Sequence, residues 1–466
     1  MDLRLHARQF VIARRALRLD ETWTEHALPG GLVLSCQRDL AVEVIDPDPA
    51  APEILLGHRY RTDPATGRGA GRYVHIAWPH AMPDPVGLLT LCHAGRGPDF
   101  VLASSPALAM LALKGAIPPY DVPEALEHRG AMNYLPMPMT RWHAVRRLFC
   151  DQKADLAAGA ILHHSHGIAP LADPGTARGV LRDELLGFAA ELKTRIPGRV
   201  FLPLTAGLDS RTLAASFIAA GLPFEAVTFQ YVGKPVADVT VAAAICRRFG
   251  IRHHVLGLAE PPDPLAGARL AEHVSDAFLD WDISHLFPGD GYRYQGPGDA
   301  MIPGTCFALA RPGFVHYFPE RFDFAHASGA AIWEARCGEP GPPALTAAFD
   351  DWRDWRGAHL GTLDWISAFY LDHRLTGWRG ALEQGYDMLP AVSLNPANNA
   401  RIQSAFITPD LEERLSGRMQ RELVAELVPE LMRFPFNPPS LGDRIRRFPR
   451  GLQRRLARLR SAAGGR

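Results

Sequence analysis

The chain of 466 residues has no excess of either charge, few lysines, no paired cysteines and no long apolar run. Lys+Arg and Asp+Glu are both 50, and only four of the basic residues are lysine, so the overall charge gives no sign of nucleic-acid binding. The six cysteines form no CxxC pair, which argues against a zinc site or disulfide framework and suits a reducing compartment. A signal-peptide core and a membrane-length apolar run are both missing. We therefore expect a cytoplasmic protein with no nucleic-acid partner.

Short apolar runs separated by turn residues predict a mostly β domain over residues 1–170. A helix is expected within it at Pro106–Lys114, where apolar residues cluster before a glycine. The predicted strands are residues 31–35, 53–57, 72–76, 87–91 and 100–103.

The hydrophobic period changes after residue 171, where strands and helices are predicted to alternate. The strands are expected at 200–204, 224–229 and 253–258, and the helices at 178–196, about 209–220 and 239–249. This alternation predicts an α/β fold with a parallel sheet and right-handed crossovers. Residues beyond 310 predict a mainly helical part, including a helix at 363–380. We place a second domain at 171–438 and a basic tail at 439–466.

The turn that follows the first of these strands combines hydroxyls, a carboxylate and a glycine. It reads Leu204-Thr205-Ala206-Gly207-Leu208-Asp209-Ser210. Ligands of open parallel sheets bind at the carboxyl ends of strands, beside helix N-termini. Gly207 lets the backbone approach a ligand, and Asp209 is suited to hold Mg²⁺ against phosphate oxygens. The same residues also fit a plain helix cap, so both a phosphate-binding turn and a structural cap stay open.

Three segments in order resemble a known family. Residues 205–210 look like the Ser-Gly-Gly-x-Asp-Ser loop that binds pyrophosphate in the N-type ATP pyrophosphatases, or PP-loop proteins. Residues 227–230 resemble the segment that reaches the adenine in those proteins, and residues 238–254 resemble their acidic residue, alanine-rich helix and histidine pair. The combination is most similar to the asparagine synthetase-like branch.

The resemblance implies a PP-loop (adenine-nucleotide α-hydrolase-like) fold, ATP and Mg²⁺ as cofactors, and adenylation of a carboxylate before amide formation with ammonia or an amine. It assigns Asp209 as the metal ligand and Ser210 as a pyrophosphate donor. Asp238 is either a second acid near the metal or loop, or an ordinary N-cap. The implied ATP-binding residues are Leu204, Thr205, Ala206, Gly207, Asp209, Ser210, Phe229 and Gly304.

The resemblance extends backward to a class II glutaminase domain of the Ntn-hydrolase type. Residues 71–76, 84–87, 103–107 and 141–149 look like pieces of that domain. Its chemistry uses an exposed N-terminal cysteine as the nucleophile, whereas Asp2 follows Met1 here and the first cysteine is Cys36. We therefore expect a degenerate domain that does not hydrolyse glutamine.

Two further departures concern the synthetase half. The family places metal-binding acids in the segment that matches residues 301–311, where this chain has Ala308; Asp290 and Asp299 are possible substitutes. The family also uses a lysine in the C-terminal half, and none follows Lys234. Arg374, Arg379 or Arg401 would have to supply that charge, and arginine cannot shuttle a proton at neutral pH. Arg374 is our candidate among the three for a catalytic residue.

These patterns predict an ATP-dependent amide-forming ligase whose acceptor is a small-molecule or peptide carboxylate. A macrocyclase similar to those that make lasso peptides is one alternative, and a non-catalytic nucleotide-binding or scaffold protein is another. The tail from Ser440 carries nine arginines against one acid, Asp443. Leu452, Leu456 and Leu459 fall on one face of a helix there, which fits contact with an anionic membrane surface or a protein partner as well as a solvated end.

Overall fold

The computed structural model describes residues 8–63, 67–122, 134–230, 236–257, 295–319, 322–387 and 389–438. The chain has an α/β fold, with two antiparallel sheets in its first part and one parallel sheet in its second. The tail beyond residue 438 lies outside the described residues. Within the described ranges, every helix is too short or too polar to cross a membrane.

The first part is a pair of six-stranded antiparallel sheets packed face to face. The strands are β1 Phe10–Ala13, β2 Trp23–Leu28, β3 Leu32–Gln37, β4 Val42–Asp46, β5 Glu53–Tyr60, β6 Ala70–Ala77, β7 His80–Pro83, β8 Cys92–Ala94, β9 Val101–Ala103, β10 Val145–Arg147, β11 Gln152–Asp155 and β12 Ala160–His163. One sheet has the order β10-β8-β9-β1-β3-β2, and the other has the order β12-β11-β7-β6-β5-β4. Helix α1 (Pro106–Lys114) covers the outer face of the first sheet, as the sequence predicts, and Gly115 ends it in a left-handed conformation.

The predicted strand at 87–91 is wrong, because Asp84 organises this segment as a buried turn. Its carboxylate accepts the backbone N–H groups of Leu88 (2.8 Å) and Leu89 (2.9 Å). Gly87 adopts a φ of +71°, which a strand does not allow. Amides that bind one carboxylate in this way are lost to strand pairing, so the apolar run is buried without being a strand.

The second part is built around a sheet of five described parallel strands. Its elements are α2 Pro174–Arg195, β13 Val200–Pro203, α3 Leu208–Ala219, β14 Glu225–Gln230, α4 Val236–Phe249, β15 His253–Gly257, β16 Ala300–Met301 and β17 Val392–Ser393. The strand order in the sheet is β15-β14-β13-β16-β17. The three predicted strands and three helices are confirmed, with shifted ends. Helix α2 begins earlier than predicted because Asp173 caps it, accepting the N–H groups of Gly175 (2.8 Å) and Thr176 (3.0 Å).

The part beyond residue 304 is mainly helical, as predicted. It contains α5 Gly329–Cys337, α6 Pro343–His359, α7 Trp365–Phe369, a π-helix at Tyr370–Arg379, α8 Gly380–Tyr386, α9 Ala400–Ile407, α10 Leu411–Ser416 and α11 Arg418–Leu427, with 3-10 turns at Thr305–Ala310, Gly313–Tyr317 and Pro429–Arg433. The single helix predicted at 363–380 is therefore α7 continued by a π-helix, because spacing in the sequence does not show whether hydrogen bonds run to the fourth or the fifth residue.

Buried ion pairs join the two parts of the chain. Arg72 on β6 binds both carboxylate oxygens of Asp387, which follows α8, and its Nη2 lies 2.8 Å from Oδ2. Arg356 on α6 is fully buried between Asp151 (2.6 Å), which precedes β11, and Asp372 (2.8 Å) in the π-helix. The first part therefore supplies charges that the helical part needs in its interior.

Candidate functional site

The loop at 204–207 joins the central strand of the parallel sheet to a helix. The backbone N–H of Leu204 donates to the carbonyl of Val227 (2.8 Å), which extends the pairing of β13 by one residue. Helix α3 starts at Leu208 with Gly207 as its N-cap, and no side chain caps it. A helix start without a side-chain cap, placed after a parallel strand, offers backbone N–H groups and the positive end of the helix dipole to an anion.

Two hydroxyl groups hold this loop in shape. The Oγ atoms of Thr205 and Ser210 lie 3.1 Å apart, and the backbone N–H of Thr205 donates to Ser210 Oγ (3.2 Å). The N–H of Gly207 donates to Thr205 Oγ1 (3.0 Å). Ser210 thus braces the turn in addition to standing in the first turn of the helix.

Asp238 stands next to the loop, in the first turn of α4. Its Oδ1 accepts the backbone N–H of Ala206 (2.9 Å). Its carboxylate therefore lies beside the loop and binds the loop backbone directly, while its role at a metal stays a prediction.

Residues near the end of the described chain form hydrogen bonds to the loop and to Arg211. The carbonyl of Ala206 accepts the backbone N–H of Asn437 (3.1 Å) and an N–H of Arg211 (3.2 Å). Arg211 is fully buried and also donates to the carbonyls of Phe434 (2.7 Å) and Pro435 (2.8 Å). Burial, with some repulsion from Arg421, lowers the pKa of Arg211 to about 10. We call residues 429–437 the C-terminal strap.

Sequence reasoning missed the strap and Arg211. The arginine directly follows the loop motif, but nothing in its position indicates that it is buried or that its partners are more than 200 residues away. The Phe436 ring, 3.7 Å from the guanidinium carbon of Arg211, completes a contact that only the folded chain reveals.

Asp209 forms an ion pair at the start of α3. Its Oδ1 accepts hydrogen bonds from Nη2 of Arg311 (3.2 Å) and Nε2 of Gln420 (2.9 Å). The side chains of Asp209 and Arg311 are 31% and 29% exposed, so the pair stands at the edge of solvent. Loss of hydration raises the pKa of Asp209, and the nearby Arg311 and Gln420 oppose that rise.

The loop lies where the order of the sheet reverses. Strand β13 has β14, the next strand in sequence, on one side and β16 on the other. The loops that follow β13 and β16 diverge at this point. Gly304, which follows β16, approaches α3 so closely that an added Cβ would lie 3.4 Å from the Ser210 nitrogen. Open parallel sheets bind ligands in the crevice at such a switch point.

Leu204 and Phe229, predicted to contact adenine, lie on adjacent strands beside the loop. The carbonyl of Leu204 accepts a hydrogen bond from Thr228 Oγ1 (2.7 Å), which is also 2.8 Å from Nε2 of His253. Phe229 is half-buried at the end of β14 and packs against Phe201, Val227 and Leu256. Ala308 is half-buried in the 3-10 turn at Thr305–Ala310.

Only one of the three candidate arginines is near this crevice. Arg374 donates to the hydroxyl of Tyr370. Burial raises the pKa of that hydroxyl and Arg374 opposes the rise, while the charge of Asp209 raises the pKa and the charge of Arg311 lowers it. The guanidinium of Arg374 stacks 3.5 Å above the Trp378 ring. The π-helix packs against the 3-10 turn at Thr305–Ala310, which Arg311 ends.

The other two arginines have structural partners elsewhere. Arg379 is buried and paired with Glu383 one turn further along the chain. Arg401 is exposed and lies 2.9 Å from Glu184 on α2. The prediction that either replaces the family lysine is therefore not supported by their positions.

The two acids considered as substitutes at Ala308 do not join the site. Asp299 precedes β16, at the opposite end of the parallel strands, where its Oδ1 accepts the N–H of Arg199 (2.7 Å) and its Oδ2 lies 2.9 Å from the guanidinium. Asp290 lies outside the described residues. Asp299 is close to Gly304 in the sequence, but the two-residue strand β16 runs between them. Asp299 therefore lies at the amino end of the strands and Gly304 at the carboxyl end.

No family model matches this chain, and no curated protein matches it.

The carboxylates beside the loop are the candidate ligands for a magnesium ion held by the protein. Asp209 Oδ1 is bound by two donors, Asp238 Oδ1 is bound by the loop, and the described residues contain no group of three or more His, Cys, Asp or Glu side chains arranged for a metal. Mg²⁺ needs six oxygens in octahedral geometry and usually takes most of them from waters and substrate phosphates, so two carboxylates with one engaged oxygen each do not fit a Mg²⁺ held by the protein alone. The site fits an anion that meets a helix start and an arginine.

Proposed function

We propose that this protein is an ATP-dependent, amide-forming ligase of the asparagine synthetase-like group. The second part would be a PP-loop domain, and the first part a degenerate Ntn-hydrolase-like domain without glutaminase activity, in a cytoplasmic protein. The observation that carries the proposal is the position of loop 204–207: it lies at the switch point of a parallel sheet, between an uncapped helix start and Gly304. That combination is suited to the phosphates of a nucleotide.

The proposed reaction begins with ATP, accompanied by Mg²⁺ as part of the substrate. An oxygen of the acceptor carboxylate attacks the α-phosphorus, the bond from that phosphorus to the bridging oxygen breaks, and pyrophosphate leaves with the electron pair. Ammonia or an amine then attacks the acyl carbon, AMP leaves, and the nitrogen loses a proton. The acceptor would be a small-molecule or peptide carboxylate.

The residues of this chain would act mainly by positioning and by charge. The first-turn amides of α3 would bind the phosphates, and Ser210 and Thr205 would keep the loop in the required shape. Asp238 would hold the Ala206 amide, and Arg374 would add positive charge from the π-helix. Leu204 and Phe229 would border the adenine.

A second candidate, a non-catalytic nucleotide-binding protein, is favoured by one observation. Arg311 and Gln420 both bind the carboxylate of Asp209, the residue that a ligase of this group would use for the metal. In this case ATP would bind at the same loop and would not be cleaved.

Calorimetric titration with Mg·ATP tests the proposal in two stages. We expect saturable binding to the wild-type chain. Ser210→Ala should weaken it about tenfold, the equivalent of one lost hydrogen bond of about 1.4 kcal/mol, and Gly304→Val should abolish it by filling the crevice. Ser216→Ala is the matched control, because Ser216 is buried on the same helix and donates to Thr212 (3.0 Å) away from the loop.

Pyrophosphate release during a screen of carboxylates with ammonia separates the two candidates. Release that depends on a carboxylate supports the ligase, whereas tight binding without release under any condition supports the non-catalytic candidate. No saturable binding by the folded wild-type chain would overturn both.

A further inference from the structure

Arg311 reaches the nucleotide crevice from the side opposite to the phosphate loop. It ends the 3-10 turn at Thr305–Ala310, which follows β16, whereas Asp209 belongs to the helix that follows β13. Their 3.2 Å contact therefore bridges the two loops that diverge at the switch point. A cation is thereby held at the mouth of the crevice.

Both partners of Asp209 have unused hydrogen-bonding capacity. Nε of Arg311 and Oε1 of Gln420 are buried and have no hydrogen-bond partner among the described residues. Gln420 itself is almost completely buried. Buried polar atoms without partners are unfavourable. The N–H of Arg311 Nε is a donor, so its position beside an anion-binding helix start points to an anionic ligand. Gln420 Oε1 is an acceptor and calls for a hydrogen-bond donor instead.

Close packing against Gly417 fixes the position of the Arg311 side chain. Gly417 has a φ of +66°, and an added Cβ there would lie 3.1 Å from Cδ of Arg311 and 2.7 Å from Cδ2 of Leu208. A residue with a side chain at 417 would push the arginine stem away from Asp209. The glycine between α10 and α11 thus leaves room for the guanidinium at this place.

The charge of Arg311 stands where a cation is required. A triphosphate is strongly anionic, and the acids of this site do not form a metal site by themselves, as Oδ1 of Asp209 and Oδ1 of Asp238 each already accept hydrogen bonds. The guanidinium carries five N–H donors in a planar fork that matches phosphate oxygens. Nη2 of Arg311 donates to Asp209, which leaves the other N–H groups of the guanidinium for a second anion.

We propose that Arg311 supplies the positive charge that a protein-held Mg²⁺ would supply at the triphosphate site, so that ATP binding here does not require a divalent cation. This inference rests on the proposed function. Arg311 would keep Asp209 through Nη2 and offer its remaining N–H groups to phosphate oxygens. Asp209 would then orient the arginine instead of coordinating a metal.

The test compares the affinity of ATP in excess EDTA with its affinity in Mg²⁺, by calorimetry, for four proteins. The wild-type chain should bind in both conditions, with dissociation constants within about fivefold of each other. Arg311→Gln should lose at least about thirtyfold in EDTA, the equivalent of about 2 kcal/mol. Arg311→Lys keeps the charge without the fork and should lose less.

Arg418→Gln is the matched control, because Arg418 is exposed on α11 and pairs with Glu422 (2.8 Å); it should behave as wild type. A thermal melt of each variant verifies that it is folded. Wild-type binding in Mg²⁺ but not in EDTA would overturn this inference and leave the proposed function standing. Absence of binding in both conditions would overturn the two together, and an unchanged EDTA affinity in both Arg311 variants would also reject the role of Arg311.

Discussion

Oδ1 of Asp238 accepts the backbone N–H of Ala206 at 2.9 Å, across 32 residues of sequence. The bond joins the first turn of α4 to the loop that precedes α3, so the starts of two neighbouring helices are fixed to each other. Asn437 and Arg211 bind the carbonyl of the same residue, Ala206, from the other side. The N–H and the carbonyl of Ala206 are thus both hydrogen-bonded within the protein, and this fixed loop is the preorganisation that the proposed phosphate site would use.

Substitution of Asp238 distinguishes support of the loop from metal binding. Asp238→Asn keeps the oxygen that accepts the Ala206 amide, and we expect ATP affinity within about threefold of wild type. Asp238→Ala removes the acceptor and should weaken ATP about tenfold, since a hydrogen bond to a charged group contributes about 1.5–3 kcal/mol. Calorimetry of both variants measures this. Equal, large losses in the two would show that the charge matters and would favour a metal role.

Substitution of Arg374 tests whether the π-helix contributes charge to the crevice. Arg374→Gln should weaken ATP about tenfold, because it removes one positive charge close to a polyanion. Arg401→Gln should leave the affinity unchanged, because Arg401 is exposed and pairs with Glu184 on α2. The same titration compares the two variants. Equal affinities would place Arg374 outside the nucleotide site.

Substitution of Arg356 should strongly destabilise the fold. It leaves Asp151 and Asp372 buried without their cation, and breaking such a pair costs about 3–5 kcal/mol. Urea unfolding of Arg356→Met measures the loss. A triple variant that adds Asp151→Asn and Asp372→Asn should regain most of it, because it removes the stranded charges. Arg353→Met on the same helix should cost about 1 kcal/mol, as its ion pairs are near the surface. A loss below that figure for Arg356→Met would contradict the prediction.

Acidification should destabilise the protein through His166. Burial lowers the pKa of this residue to about 4, with Asp151 opposing and Arg356 adding to the effect, and its Nδ1 accepts the N–H of Ile168 (2.9 Å). The unfolded chain takes up the proton near pH 6.5 and the folded chain near 4, so stability falls as the pH drops between these values. The contribution at pH 7 is about 3 kcal/mol for a shift of this size.

Melting temperatures at pH 7 and pH 5 check this expectation. His166→Asn should reduce the fall, because its side-chain oxygen can accept the same N–H and does not titrate. His326→Asn, at an exposed position, should leave the fall unchanged. An identical pH dependence in wild type and His166→Asn would show that another group causes it.

Local signals in the sequence predicted the parallel sheet and its central loop well. Helix starts and stops such as Gly115, and the alternation of short apolar runs with amphipathic stretches after residue 171, are determined by neighbouring residues. The start of α3 at Leu208 was within one residue of the prediction. The residues of the loop itself were brought together as expected because they are adjacent in the chain.

Contacts between distant residues were not predictable in the same way. Arg311 and Gln420 meet Asp209 only after the sheet and α11 have formed, and Arg374 was chosen over Arg379 and Arg401 without any signal that separates the three. The segment at 87–91 shows the converse: its apolar residues indicate burial correctly, but the Asp84 carboxylate takes the amides that a strand would use.

The first part of the chain provides oppositely charged partners for buried charges of the second: Arg72 pairs with Asp387, and Asp151 pairs with Arg356. Removal of residues 8–163 would leave Asp387 without its partner and Arg356 with one carboxylate instead of two, inside a helical layer that excludes water. The interior of the second part is therefore electrically balanced only when the first part is present.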